Sequence, residues 1–327
     1  ALGLAIGCGG DTASKMEEVR ALQDVGRFDA SIAKLDEVLA LDPDLPEANY
    51  RLGLALVQTG EPSRAVWPLQ KAAVASGYEI SAGVLLASTH FQTRNFDEAI
   101  RAADAVLAAD PERQAAMRIR ANANLAARRP DAALADTELL VELFPSNYGV
   151  RALHANVLGE LGRLEEAERE HEALKRMGEE SGDPVLASRA CLAPAIFAND
   201  VVGDAAKAAT LYDDCAARNP TDTVVLNHLV GYFDSTGNAE RGTGLWRDAV
   251  AAKPDRLELH RGLAERLRAQ GEGDEAKSVL RAAVDRFDSV PAWSMLAAFH
   301  RLRGEPEPAL EAIERVLALS EDDEERI

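Results

Sequence analysis

The chain is short of positive charge. It carries 36 lysines and arginines against 55 aspartates and glutamates, a formal charge of −19. A nucleic-acid binder needs a basic footprint to displace counterions from phosphates, and no basic stripe is present. An anionic membrane surface would also repel such a body. A basic or neutral protein is the compatible partner. Aromatic residues are scarce at 5%, which suits helices packed through alanine. No apolar run reaches the ~20 residues that a membrane-spanning helix needs. Nor is there a phosphate-cradling glycine loop, a nucleophile elbow, a zinc motif or a carboxylate pair that rises above helical surface charge. The reading is therefore non-catalytic, with no cofactor and no metal.

What is present is a repeat. Gly26, Gly60 and Gly162 stand in one 34-residue register; after a slip of seven residues Gly203, Gly237 and Gly271 resume it, and Gly304 follows 33 later. Pro43, Pro111 and Pro145, then Pro220 and Pro254, mark a second register. Self-similarity at this period marks stacked supersecondary units. In the stretch 46–77, Leu52, Ala55, Leu56 and Val57 form one helical stripe, and Ala65, Val66, Leu69, Ala72 and Ala73 form another. Thr59-Gly60-Glu61-Pro62 breaks the chain between them. Each unit is thus a helix, a tight turn and a second antiparallel helix, which stops where the residue before proline is pushed out of helical geometry. A small residue recurs in the second helix at Ser31, Ala65, Ala99, Ala133, Ala167, Ala208, Gly242, Ala276 and Ala309. It lets the paired helices approach.

These positions resemble the tetratricopeptide repeat (TPR) family. Asn49, Leu52, Gly53, Leu56, Ala65, Leu69 and Gly77 fill the family slots in the second unit, and Trp293, Leu296, Ala297, His300, Ala309 and Ile313 in the last. The aromatic slots are often aliphatic, and Gly77 replaces a proline. The resemblance implies an all-α, right-handed solenoid (superhelix) of about nine hairpins. Units 1–5 span 12–178 and units 6–9 span 179–320, between a leader remnant and linker at 1–11 and an acidic tail at 321–327. It also implies a concave groove lined by first helices, where a peptide or a partner helix would lie. The groove slots are Tyr50, Leu54 and Gln58; Val84, Phe91 and Gln92; Arg118 and Asn122; Asn156; Phe197; Asn227; and Arg261 and Arg268. Affinity is expected from Tyr50, Phe91 and Phe197, and register from Arg118, Asn122 and Asn156, whose amides can hold a peptide backbone. Leu153 and Pro194 occupy slots where a carboxylate clamp wants polar groups, so an acidic C-terminal tail is not the expected ligand.

Irregularities sharpen the reading. The slip falls at Lys175–Pro184, either as a longer loop with an extended following helix or as a hinge. Asp183-Pro184 reads as an N-cap and first helical residue. Pro68 and Pro194 lie inside helices, and Pro194 should kink its own. Cys191 and Cys215 lie in one hairpin, as buried thiols or, in an oxidising envelope, as a disulfide. His154 and His171 read as a packed pair. Leu310 and Leu317 fill slots that interior units bury on the next repeat, which points to a docked partner, self-association through the C-terminal unit, or a longer chain. The first unit, with Lys15 and Glu18 at core slots, reads as a cap.

Leu4-Ala5-Ile6-Gly7-Cys8 resembles a bacterial lipoprotein cleavage box. It implies lipidation at Cys8 and a periplasm-facing place in the cell envelope; without it the chain is cytoplasmic. The function expected is a protein-interaction scaffold. Alternatives are an assembly factor for secretion, pili or exopolysaccharide export, or the TPR arm of a larger enzyme.

Overall fold

The first helix of each hairpin stops where the glycine register falls. Gly26, Gly60, Gly162, Gly203, Gly237, Gly271 and Gly304 all take φ between 70 and 83°, the left-handed conformation that closes a helix. At the end of the second unit's first helix, Glu61 N–H donates to Leu56 O at 2.7 Å and Gly60 N–H to Val57 O at 3.2 Å. The third and fourth units have no glycine here. Arg94 and Arg128 occupy the site and take the same left-handed turn, both at φ 61°.

The computed structural model describes the backbone of residues 8–324 and the side chains of residues 12–320. Among these residues it is all helical. The nine hairpins are α1 (Cys8–Asp24) with α2 (Phe28–Leu41), α3 (Pro46–Gln58) with α4 (Pro62–Ala73), and α5 (Glu79–Gln92) with α6 (Phe96–Ala109). Then come α7 (Gln114–Ala126) with α8 (Pro130–Leu143), α9 (Tyr148–Glu160) with α10 (Leu164–Glu180), and α11 (Pro184–Phe197) with α12 (Ala205–Arg218). The last are α13 (Thr223–Ser235) with α14 (Ala239–Ala252), α15 (Leu257–Ala269) with α16 (Gly273–Phe287), and α17 (Val290–Leu302) with α18 (Pro306–Glu324). This is the α-solenoid implied by the repeat. The chain divides into two compact units, 1–174 and 175–327, with the division inside α10.

Close approach explains the small slots. A Cβ on Gly53 would lie 2.4 Å from Leu69, and one on Gly262 would lie 2.1 Å from the Trp246 ring. Glycine on one helix therefore makes room for a large side chain on the neighbouring one, Leu69 of the following helix in one case and Trp246 of the preceding helix in the other. Several family aromatic slots instead carry donors that tie back to the loop. Asn49 Nδ2 donates to Pro43 O at 3.0 Å, Arg151 Nε to Pro145 O at 2.7 Å, and His260 Nε2 sits 3.0 Å from Pro254 O.

The seven extra residues are not a long loop. First helices begin at Tyr148, Pro184 and Thr223, steps of 36 and 39 where the other steps from α3 onward are 33 to 35. The connection after α10 is only residues 181–183, and Asp183 caps α11 through Val185 N–H at 2.9 Å. Most of the insertion is taken up by a π-helical turn, Ala198–Val202, that extends α11. Pro194 precedes that turn and withholds a backbone donor. Pro68, by contrast, is accommodated within an uninterrupted α4.

Together α11 and its π turn form a 19-residue stretch, Pro184–Val202, with mean hydropathy 1.4, long and apolar enough by composition to cross a membrane. Part of its apolar side is spent within the protein: Leu192, Ala195 and Ala198 pack with Ala208, Tyr212, Val225 and Leu229, while Val185 and Val201 are exposed.

Lys15 and Glu18 are not core residues. They pair across the first hairpin with Glu37 and Lys34, each at 3.0 Å. The box Leu4–Gly7 and the end of the acidic tail lie outside the described residues, as does the Cys8 side chain.

Candidate protein-interaction groove

Successive first helices touch one another, α3 with α5, α5 with α7 and α7 with α9 in the first unit, and α11 with α13 and α13 with α15 in the second. No pair of second helices approaches comparably among the described residues. The side on which stacked elements draw together is the inside of their curve, so within each unit the first helices form the inner face.

In the first unit Tyr50 is half-buried, with its ring 5.6 Å from that of Tyr78, and Phe91 is half-buried 5.8 Å from Phe96. Leu54 and Val84 are half-buried; Gln58, Gln92, Arg118 and Asn156 are exposed. Asn122 departs from the expected amide ladder. Its Nδ2 donates to Arg118 O at 2.7 Å, one turn back in α7. One of the two amide N–H donors is thus spent within the helix.

The arginines of this unit divide by role. Arg120 is tied to Asp136, at 2.8 and 2.5 Å, and to Asp104 at 2.5 Å. Asp136 is buried, so this cluster joins helices and does not recognise a ligand. Arg20 forks onto Glu47 at 2.7 and 2.6 Å, and Arg51 adds a bond at 2.8 Å. The Arg20 guanidinium, followed by Arg51, pulls the Glu47 carboxyl down to about 2.

In the second unit Phe197 is not a groove residue, because it is only 6% exposed. Counted back from Gly203 it falls on the slot of Leu54. Counted forward from Pro184 it falls on that of Thr59. The π turn between the two markers breaks the count. Asn227 is exposed on α13.

A cleft opens further along this inner face. Arg261, Ala264, Glu265 and Arg268 of α15 and Met295, Ala298 and Leu302 of α17 line a volume of about 250 Å³ floored by Leu280 and Phe299. Arg266, on the same helix, is spent on a fork to Asp234 at 2.6 and 2.5 Å. Arg261 and Arg268 are exposed and make no ion pair among the described residues. Leu302 is 65% exposed. The cleft thus offers an apolar floor beneath two arginines in a strongly acidic body. Met295, Ala298 and Leu302 stand 34 residues beyond Arg261, Ala264 and Arg268, so one more step of the repeat finds them.

A second apolar patch lies on a second helix. Trp67 is 67% exposed and Val74 84% exposed on α4 and its cap, with Lys71 Nζ 5.7 Å from the indole. The groove slots do not lead to it.

Cys191 and Cys215 face each other across the sixth hairpin with Cα atoms 5.4 Å apart and sulfurs in bonding contact, a separation that suits a disulfide. His154 Nδ1 lies 3.0 Å from Thr137 Oγ1, and His171 is buried. Burial lowers the pKa of both rings. Among the described residues no group of three or more His, Cys, Asp or Glu is arranged to hold a metal ion.

Comparison with known proteins agrees with this architecture. Residues 16–79, 84–148 and 261–324 match the tetratricopeptide repeat family, and the chain belongs to it. Proteins of this kind are commonly protein-interaction scaffolds. No curated protein matches the sequence. Among solved structures the chain is similar to a MamA fragment from Desulfovibrio magneticus RS-1, at 18% identity and TM-score 0.50 over 54% of this chain and 99% of that one. A second MamA structure gives 21% identity and TM-score 0.50 over 53% and 94%. PilF of Pseudomonas aeruginosa gives 16% and 0.49 over 69% and 99%. At such identities the MamA likeness speaks for fold alone.

Proposed function

We propose that this chain is a non-catalytic scaffold that holds a segment of another polypeptide against the inner face of its first helices. The observation that carries the reading is the α15–α17 cleft, where Arg261 and Arg268 stand over Met295, Leu302 and Phe299. Neither arginine makes a salt bridge within 4 Å among the described residues of a chain with net charge −19, although Glu258 feels the charge of Arg261 and Glu265 shares the cleft. Two cations flanking an apolar floor favour an apolar side chain set between acidic groups. Seven residues of helix separate the arginines by about 10 Å, the span of roughly three residues of extended chain. The favoured ligand is therefore a segment with carboxylates three residues apart and a leucine or phenylalanine between them. An array of 12-residue peptides tests this. Enrichment of that pattern is expected on the wild-type chain, with loss of about tenfold or more in affinity for the double variant Arg261→Glu, Arg268→Glu. Peptides that bind both forms equally would refute the site.

The cell envelope is the proposed location, with Cys8 as the lipidated residue. The box Leu4–Cys8 supports this, and so does the Cys191–Cys215 approach, since disulfides persist in oxidising compartments. Cys8→Ala in the complete precursor should move the protein from membrane to soluble fractions. Unchanged fractionation would remove the anchor from the account.

A further inference from the structure

The charges of α15 divide by use. The helix carries Glu258, Arg261, Glu265, Arg266 and Arg268. Arg266 forks onto Asp234 and also reaches Thr243 Oγ1 at 3.2 Å, so it joins α15 to α13 and α14. Glu258 is held by Arg256 at 2.7 Å, and Arg261 adds only a weaker pull on it. The other three, Arg261, Glu265 and Arg268, line the cleft and are exposed. None of them makes an ion pair among the described residues.

Their order along the helix is positive, negative, positive. Steps of four and three residues place all three on one face. Glu265 stands about 6 Å along the axis from Arg261 and about 4.5 Å from Arg268. Arginine four residues before glutamate is the less favourable order for a pair within one helix, which suits charges kept for a ligand. Across the cleft α17 presents Met295, Ala298 and Leu302, none of which can answer a charge. A segment that displaces water from this space must therefore bring the counter-charges itself, since a desolvated charge without a partner is costly.

We propose that Glu265 sets the specificity of the cleft: it selects a lysine or arginine between the ligand's two carboxylates and rejects a third acidic group there. This rests on the peptide-binding reading above and narrows its ligand. Of the two residues between the carboxylates, one is apolar and turns to the floor, and the other is basic and meets Glu265. The two arginines alone would attract any acidic tract. Glu265 removes that indifference, because like charges brought together at an interface exclude the wrong partner. The class of ligand is thus a segment of alternating charge, not a run of acidic residues.

Three kinds of 12-residue peptide test this. All carry two glutamates three residues apart with one leucine between them. The remaining intervening residue is lysine, glutamine or glutamate, and each kind is made with the leucine first and with it second. Fluorescence anisotropy with the full chain at low salt should rank them lysine, glutamine, glutamate from tightest to weakest, with about threefold per step in the better leucine register. Glu265→Lys should invert the order, and Glu265→Gln should compress the spread to about twofold or less. Added salt should shrink the wild-type spread. Glu265 is exposed, so circular dichroism of both variants should match the wild type. The same order in Glu265→Lys as in the wild type would overturn the role of Glu265 and leave the cleft standing. Failure of every peptide to bind the wild-type chain would overturn both readings.

Discussion

The two units use one repeat in different ways. In 1–174 the first helices from α3 onward begin at nearly constant spacing, and the central slot of the second helix is filled by Leu35, Leu69, Ala103, Thr137 and His171. In 175–327 that slot holds Tyr212, Trp246, Leu280 and Ile313, the sixth hairpin takes in a π turn, and two cysteines close it. The contrast teaches that the repeat tolerates large changes in side-chain volume when a facing position shrinks. Trp246 fits because Gly262 faces it, as Gly53 faces Leu69. Hairpin spacing is held by the pair of slots together, not by either residue type alone.

The largest expected effects break these pairs. Trp246→Ala should cost about 3–5 kcal/mol and Leu69→Ala about 2–5 kcal/mol, because neighbours collapse only partly into the space. Gly262→Ala should cost roughly 1–3 kcal/mol by overpacking against the indole. Urea unfolding followed by near-ultraviolet circular dichroism measures all three. A neutral Gly262→Ala would show that the volume match is unimportant.

Next comes the sixth hairpin. If Cys191 and Cys215 are joined, the 24-residue separation predicts that reduction lowers stability by about 3 kcal/mol. Hydrogen exchange with and without reductant should show the loss in 184–218 and none in 46–109. Two thiols that react freely in native, envelope-purified protein would dismiss the bond.

Acid should act on the first unit in two stages. Burial lowers the pKa of His90, His154 and His171 from the ordinary 6.5. The unfolded chain therefore takes up protons first, and stability falls as pH drops through 6.5. Glu47 is the opposite kind of group, a carboxylate lowered from 4.5 to about 2 by Arg20 and Arg51. Its contribution is complete above pH 4.5 and is lost as pH falls toward 2. Thermal melts between pH 8 and 3 should show both stages. Glu47→Gln should flatten the lower one, and His171→Leu should reduce the upper.

The smallest effects concern turn closure. Arg94→Gly and Arg128→Gly should each raise stability by about 1 kcal/mol, since the left-handed turn costs a side-chain-bearing residue that much. The same change at a helical arginine, such as Arg118→Gly, should instead destabilise by about 1 kcal/mol.

Much of the fold was legible because glycine and proline mark turns with backbone geometry that few other residues adopt. Arg94 and Arg128 hid two of those turns, since nothing in an arginine announces a positive φ. The loop ties from Asn49, Arg151 and His260 were hidden in another way: three chemically different donors reach the same kind of carbonyl. For the groove, phase placed Arg261 and Arg268 on α15, where they are exposed beside the cleft. It failed at Phe197, where the π turn breaks the count, and at Asn122, whose amide turns back onto its own helix. Trp67 and Val74 lie off the groove register, so only their exposure reveals them.

That outer patch supplies the most direct test of the central claim, that polypeptide is held on the inner face. A photo-cross-linking residue would replace either Leu302, beside the cleft, or Val74, on the exposed end of α4. Each protein would then be irradiated with an acidic, leucine-bearing peptide enriched on the wild-type chain. The account predicts capture from Leu302, abolished by Arg261→Glu with Arg268→Glu, and no capture from Val74. Capture from Val74, or from Leu302 regardless of the two arginines, would contradict it.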